Sequence, residues 1–134
     1  MTQVSRYPVS KKIYERILEI FFGILVRIRT KSEARRFIQD FLTPTEQVML
    51  VKRLAIACLL EKNYYHRTIC KVLRVSAATI ARVNLAKKYG GEGYQKMIQK
   101  LIKDEKIEDF MLGVAEAISK IGSMGVKGSS SWRY

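Results

Sequence analysis

The chain has 134 residues, 48% of them hydrophobic and 28% charged, a size and balance that supply an ordinary core and argue against intrinsic disorder. Its 25 lysines and arginines outnumber 12 acids and leave a formal net charge of +13, so the expected partner is a polyanion, with nucleic acid ahead of an anionic membrane surface. The longest apolar run, Ile17 to Val26, is interrupted by Glu19 and is too short to span a bilayer. It also starts too late in the chain, behind too much charge, to act as a secretory signal. A soluble, cytoplasmic protein is expected.

The first predicted element is a helix over Lys11 to Arg29, in which Ile13, Ile17, Ile20, Phe21, Ile24 and Ile28 recur at helical spacing while Tyr14, Leu18, Phe22 and Leu25 fill an adjoining stripe. An apolar arc this wide needs cover on more than one side, which predicts dimerisation through this helix. Ser32 is the expected N-cap of a short helix ending at Phe41. Thr43 and Pro44 then start a long helix that ends near Glu61. Two short helices follow, Tyr65 to Leu73 and Ser76 to Lys88, and the glycines after Tyr89 stop the second. A further helix, Tyr94 to Lys103, continues after a kink as Ile107 to Ile121, and the Gly- and Ser-rich end is expected to be mobile. The chain thus reads as all-α, with 1–134 a single domain: a helical dimerisation core over 10–62, a helix-turn-helix over 63–88, C-terminal helices over 94–121 and a tail over 122–134.

The helix-turn-helix reading rests on Ile69, Val72 and Leu73 facing the same core as Ile80 and Val83, across a turn of Arg74 and Val75. Ser76 is the expected N-cap of the second helix. That helix opens with Ala77 and Ala78, followed by Ala81 and Arg82; small residues there let a helix backbone approach base edges in the major groove. Direct base readout should then be modest, and readout by DNA shape or bridging water larger. Alanines also favour any helix, but that does not account for the surrounding charge: Lys62 to Lys103 holds ten basic residues and one acid, Glu92. The expected phosphate contacts are Arg67, Lys71 and Arg74, with Ser76, Ala77, Ala78 and Ala81 facing the groove and Arg82 counted among the DNA-binding residues.

These pieces, LeuThrPro at Leu42 to Pro44, Arg53, AlaThrIleAlaArg at Ala78 to Arg82 and TyrGlyGlyGluGlyTyr at Tyr89 to Tyr94, resemble the Trp repressor family and, more closely, its YerC/YecD branch. The resemblance covers about the middle half of the chain, counted at domain scale. It implies an intertwined homodimer presenting two DNA-binding heads, acting as a repressor on double-stranded DNA. In that family two arginines sandwich the indole of the corepressor, and they correspond to Arg53 and Arg82, with Thr43 and Thr79 corresponding to pocket threonines; cation planes on both faces of an aromatic ring are favourable. Where the Trp repressor carries glycine after the second arginine, this chain has Val83, whose branched side chain occupies space the indole needs. Tryptophan is therefore not expected as the effector. Arg74 stands where such turns commonly carry glycine in a left-handed backbone.

No enzyme, cofactor or metal is expected. Cys58 and Cys70 lie among aliphatic residues and read as reduced, packed thiols. His66 stands alone at a helix start, as a surface or phosphate-contacting side chain, with no nucleophile set beside a base and no phosphate-binding glycine loop. The competing function is an RNA-binding or other nucleic-acid-associated structural module, disfavoured because the aromatics are not interleaved with the basic stripe.

Overall fold

A computed structural model describes residues 8–104 and 106–121; the expected tail over 122–134 lies outside the described residues. These form seven α-helices and no strand. They fall into two compact units, the first ending at Leu50 and the second beginning at Val51, within the third helix.

In the first unit, α1 (Lys11–Arg27) is capped by the Ser10 hydroxyl, which accepts from the Ile13 amide. It ends two residues short of the expected Arg29 because Ile28 is already extended. The cap of α2 (Lys31–Phe41) is Thr30 and not Ser32: the Thr30 hydroxyl accepts from the Glu33 amide at 3.1 Å. Ser32 Oγ instead accepts from Arg36 Nη2 one turn on. The break between the helices thus lies two residues earlier than predicted, and its extended residue Thr30 takes the cap. Phe21, Phe37 and Phe41 gather, with centroids 5.1 to 6.5 Å apart, within the range of favourable aromatic pairs.

The start of α3 (Pro44–Glu61) is a reciprocal capping box: the Glu46 amide donates to Thr43 Oγ1 at 3.2 Å and the Thr43 amide donates to Glu46 Oε1 at 2.9 Å. The Thr43 amide and hydroxyl together hold the Glu46 carboxyl below its ordinary pKa.

In the second unit, Ile56 to Leu60 are buried in succession, so this stretch of α3 is enclosed on all sides. The chain leaves it through Asn63, whose φ of 64° is left-handed; the Asn63 and Tyr64 amides donate back to the Leu60 and Leu59 carbonyls, the pattern that closes a helix end. Helices α4 (His66–Leu73), α5 (Ala77–Tyr89), α6 (Glu92–Ile102) and α7 (Lys106–Ile121) follow. Gly90 ends α5 in an extended conformation and not in the left-handed one that usually selects glycine there. Its reason is close approach: a β-carbon at Gly90 would overlap the Ala86 carbonyl oxygen. α6 begins two residues earlier than expected because Glu92 in its first turn suits the positive end of a helix. The expected kink is a full break at which Asp104 Oδ1 accepts from the Lys106 amide and starts α7. Side chains of all five helices meet in one core, with Ile56, Leu59 and Leu60 of α3, Ile69 of α4, Ile80 and Val83 of α5, Ile98 of α6 and Val114 of α7. α7 packs on α4, and α5 packs closest to α4 and α6.

Candidate nucleic-acid interface

Helical period sorts the residues of α4. His66, Ile69 and Leu73, spaced at three and four, share the inward face, and His66 is only 3% exposed. It is therefore not the surface or phosphate-contacting side chain expected from its place at the helix start; its register with Ile69 overrides that position. Arg67 and Lys71, four apart, are exposed on the other side. Cys70, half-buried, packs against the core, and Cys58 is buried; both are free thiols whose pKa burial pushes up, which keeps them protonated and unreactive.

The turn is closed by backbone. Arg74 adopts φ 55° and ψ 56°, the left-handed conformation, and the Arg74 and Val75 amides both donate to the Cys70 carbonyl. Ser76 is then extended and caps α5: its Oγ accepts from the Thr79 amide at 3.2 Å and lies 2.9 Å from Thr79 Oγ1. Beyond the cap, Ile80 and Val83 are buried while Ala77, Ala78, Ala81, Arg82 and Leu85 are exposed. A helix face made mainly of methyl groups adjoins a guanidinium on Arg82. Arg74 and Ser76 are exposed at its N-terminal end. The structure thus brings Arg74, Ser76, Ala77, Ala78, Ala81 and Arg82 onto one turn and one helix, with Arg67 and Lys71 on the helix before it.

The ion pairs among the described residues join Lys11 to Glu15, Lys87 to Glu61 and Lys96 to Glu92, and none neutralises Arg67, Lys71, Arg74 or Arg82. Lys87 and Lys96, counted in the basic stripe, are partly neutralised by these acids. Sequence reasoning also passed over Lys52 and Lys87 as inward-reaching groups. Lys52 Nζ donates to the Arg74 carbonyl at 3.1 Å, and Lys87 Nζ donates to the Leu60 carbonyl at 3.2 Å. The signal for Lys87 was its spacing, four after Val83 and seven after Ile80, on the core face.

The residues corresponding to an indole pocket have these settings. Thr43, in the first unit, is engaged in the α3 capping box. In the second unit Arg53 and Arg82 are exposed, Thr79 is half-buried beside Ser76, and Val83, 2% exposed, is part of the core. The Tyr94 hydroxyl is buried and makes no hydrogen bond; burial and then the Glu61 charge push its pKa up, and the Arg53 charge works against them. No group of three or more His, Cys, Asp or Glu among the described residues is placed to hold a metal ion. None of the helices among these residues is long and apolar enough to cross a membrane.

The described residues are helical, and among them a helix with a small-residue face and an exposed arginine follows a tight turn. The family model for the Trp repressor protein matches residues 16–102, the greater part of the chain. The protein therefore belongs to the Trp repressor family, a family of DNA-binding transcription regulators. No match was found among curated proteins or solved structures.

Proposed function

We propose that the protein is a sequence-specific, double-stranded DNA-binding repressor of the YerC/YecD type, cytoplasmic, acting as a homodimer by binding and without catalysis. Its α4–α5 pair is a helix-turn-helix, with α5 entering the major groove. The observation that carries this reading is the exposed face Ala77, Ala78, Ala81 and Arg82, held outward by burial of Ile80 and Val83. Arg67, Lys71 and Arg74 supply phosphate contacts around it.

Homodimerisation is supported by α1, which has no buried residue: Ile20 is 65% and Val26 81% exposed. Val48, Leu50, Val51 and Leu54 of α3 are likewise exposed. An exposed apolar helix face of this kind marks an interaction site, and a second copy of the chain carries the same face. Tryptophan is not required, because Val83 belongs to the core and leaves no glycine-sized gap beside Arg82.

Selection of bound sequences from random duplex DNA, with and without tryptophan and against structured RNA at matched salt, tests the reading. Enrichment of a two-fold symmetric duplex site independent of tryptophan is expected. Preferential retention of RNA contradicts it.

A further inference from the structure

Two lysines of the second unit point at backbone carbonyls of neighbouring helices. Lys52 of α3 reaches the carbonyl of Arg74, the left-handed residue of the α4–α5 turn, at 3.1 Å. Lys87, in the last turn of α5, reaches the Leu60 carbonyl at 3.2 Å and lies 3.6 Å from Glu61 Oε2. One tie therefore fixes the turn just before the α5 N-cap to α3, and the other fixes the far end of α5 to α3. The two anchor points on α3, Lys52 and Leu60, are about 12 Å apart at 1.5 Å per residue. A single attachment leaves a helix free to pivot, whereas two set its angle.

The ties flank the packed contact between α3 and α5, one at each end of α5. The tie at Lys87 is also better protected than an ordinary surface pair, whereas the one at Lys52 is exposed. The Lys87 and Glu61 side chains are 25% and 22% exposed, against 70% and 84% for Lys96 and Glu92, so solvent screens the inner pair less. Between the ties Ile80 and Val83 are buried in the core shared with Ile56, Leu59 and Leu60. Lys87 acts at the last carbonyls of α3, where a cation meets the negative end of the helix.

We infer that Lys52 and Lys87 are positioning residues that set α5 on α3 in the absence of any small molecule, so that the reading face is formed before an effector arrives. This rests on the reading of α5 as the DNA-contacting helix. A small molecule can shift a helix only by binding one of its positions better than another; here the chain's own ammonium groups hold that position.

The test uses the full chain and two readouts. Lys52→Met, Lys87→Met and the double variant remove the donor but keep the stem, Lys87→Arg keeps a donor, and Lys88→Met removes one charge from the exposed neighbour. The first readout is amide hydrogen exchange along α5, which needs no DNA. Lys52→Met should speed exchange at the start of α5 and Lys87→Met at its end, with the protection of α1 and α2 unchanged. Lys87→Arg and Lys88→Met should leave α5 as it is. The second readout is affinity for duplex DNA over a salt series: each Met variant at a tie should bind about tenfold more weakly, as for loss of a charged hydrogen bond, with the salt slope kept. Unchanged α5 exchange in the double variant overturns the inference, as does global loss of protection in every tie variant, Lys87→Arg included. A loss of affinity carried wholly by a flatter salt slope overturns it too, since the lysines would then be phosphate contacts. If the wild type binds no DNA while α5 exchange responds as described, the functional reading fails and the ties stand.

Discussion

At Arg74 the backbone and the proposed function pull in opposite directions. Its left-handed conformation, φ 55°, costs a residue with a β-carbon about 1 kcal/mol or more, yet its exposed guanidinium sits at the mouth of the turn. Arg74→Gly is expected to raise stability by about 1 kcal/mol while weakening DNA binding. Thermal unfolding beside a binding titration reads both, and parallel losses in the two would show that the arginine serves the fold. Val83 shows the reverse economy: a residue read as filling a ligand's space is 2% exposed within the core, so its bulk serves packing first. His66 and Lys87 both reach inward. Both are polar, and what turns them inward is their helical register with Ile69 and with Ile80 and Val83.

At the scale of elements, caps decide where helices begin. The capping box of α3 holds the Glu46 carboxyl below its ordinary value of 4.5, so its contribution to stability is complete above that value and is lost as pH falls through the lowered folded value. Across this acid window Thr43→Val should flatten the fall in melting temperature that the wild type shows, leaving the two curves closer at low pH than at pH 6; an unchanged gap contradicts the assignment. ThrProThrGlu announced this start plainly, since Thr43 and Glu46 have the spacing of the reciprocal bonds they make. Ser76 was as legible, being the hydroxyl residue just before the helical run of α5. Thr30 and Ser32 were not separable by sequence, because both are hydroxyl residues at the same break and the choice depends on which one is extended. The end of α5 was placed correctly at its glycines, but for a different physical reason, the approach of Gly90 to the Ala86 carbonyl, which depends on how the chain leaves α5.

For the molecule as a whole, most of the apolar arc of α1 read from its sequence lies exposed on the single chain, and a second copy is the cover proposed for it. Ile20 is a cleaner probe of this than Phe21, which already meets Phe37 and Phe41 within the same chain. Ile20→Asp should be neutral in a monomer, but in a dimer it buries an unpaired charge and should dissociate or unfold the protein in sedimentation at micromolar concentration. A wild type that stays folded as a monomer there contradicts the dimer. The net charge of +13 calls for a polyanion without saying where it binds; the location proposed for it is the exposed face of α5, where Ala77, Ala78 and Ala81 lie beside Arg82, with Arg67, Lys71 and Arg74 exposed on α4 and the turn. The most direct test of that location is the affinity of the wild type and of Lys71→Ala for one duplex over a salt series. The wild type should weaken steeply as salt rises, and Lys71→Ala should bind every sequence more weakly with a slope of log affinity against log salt flatter by about one. A shift in base preference at an unchanged slope, or binding that ignores salt, would contradict the account.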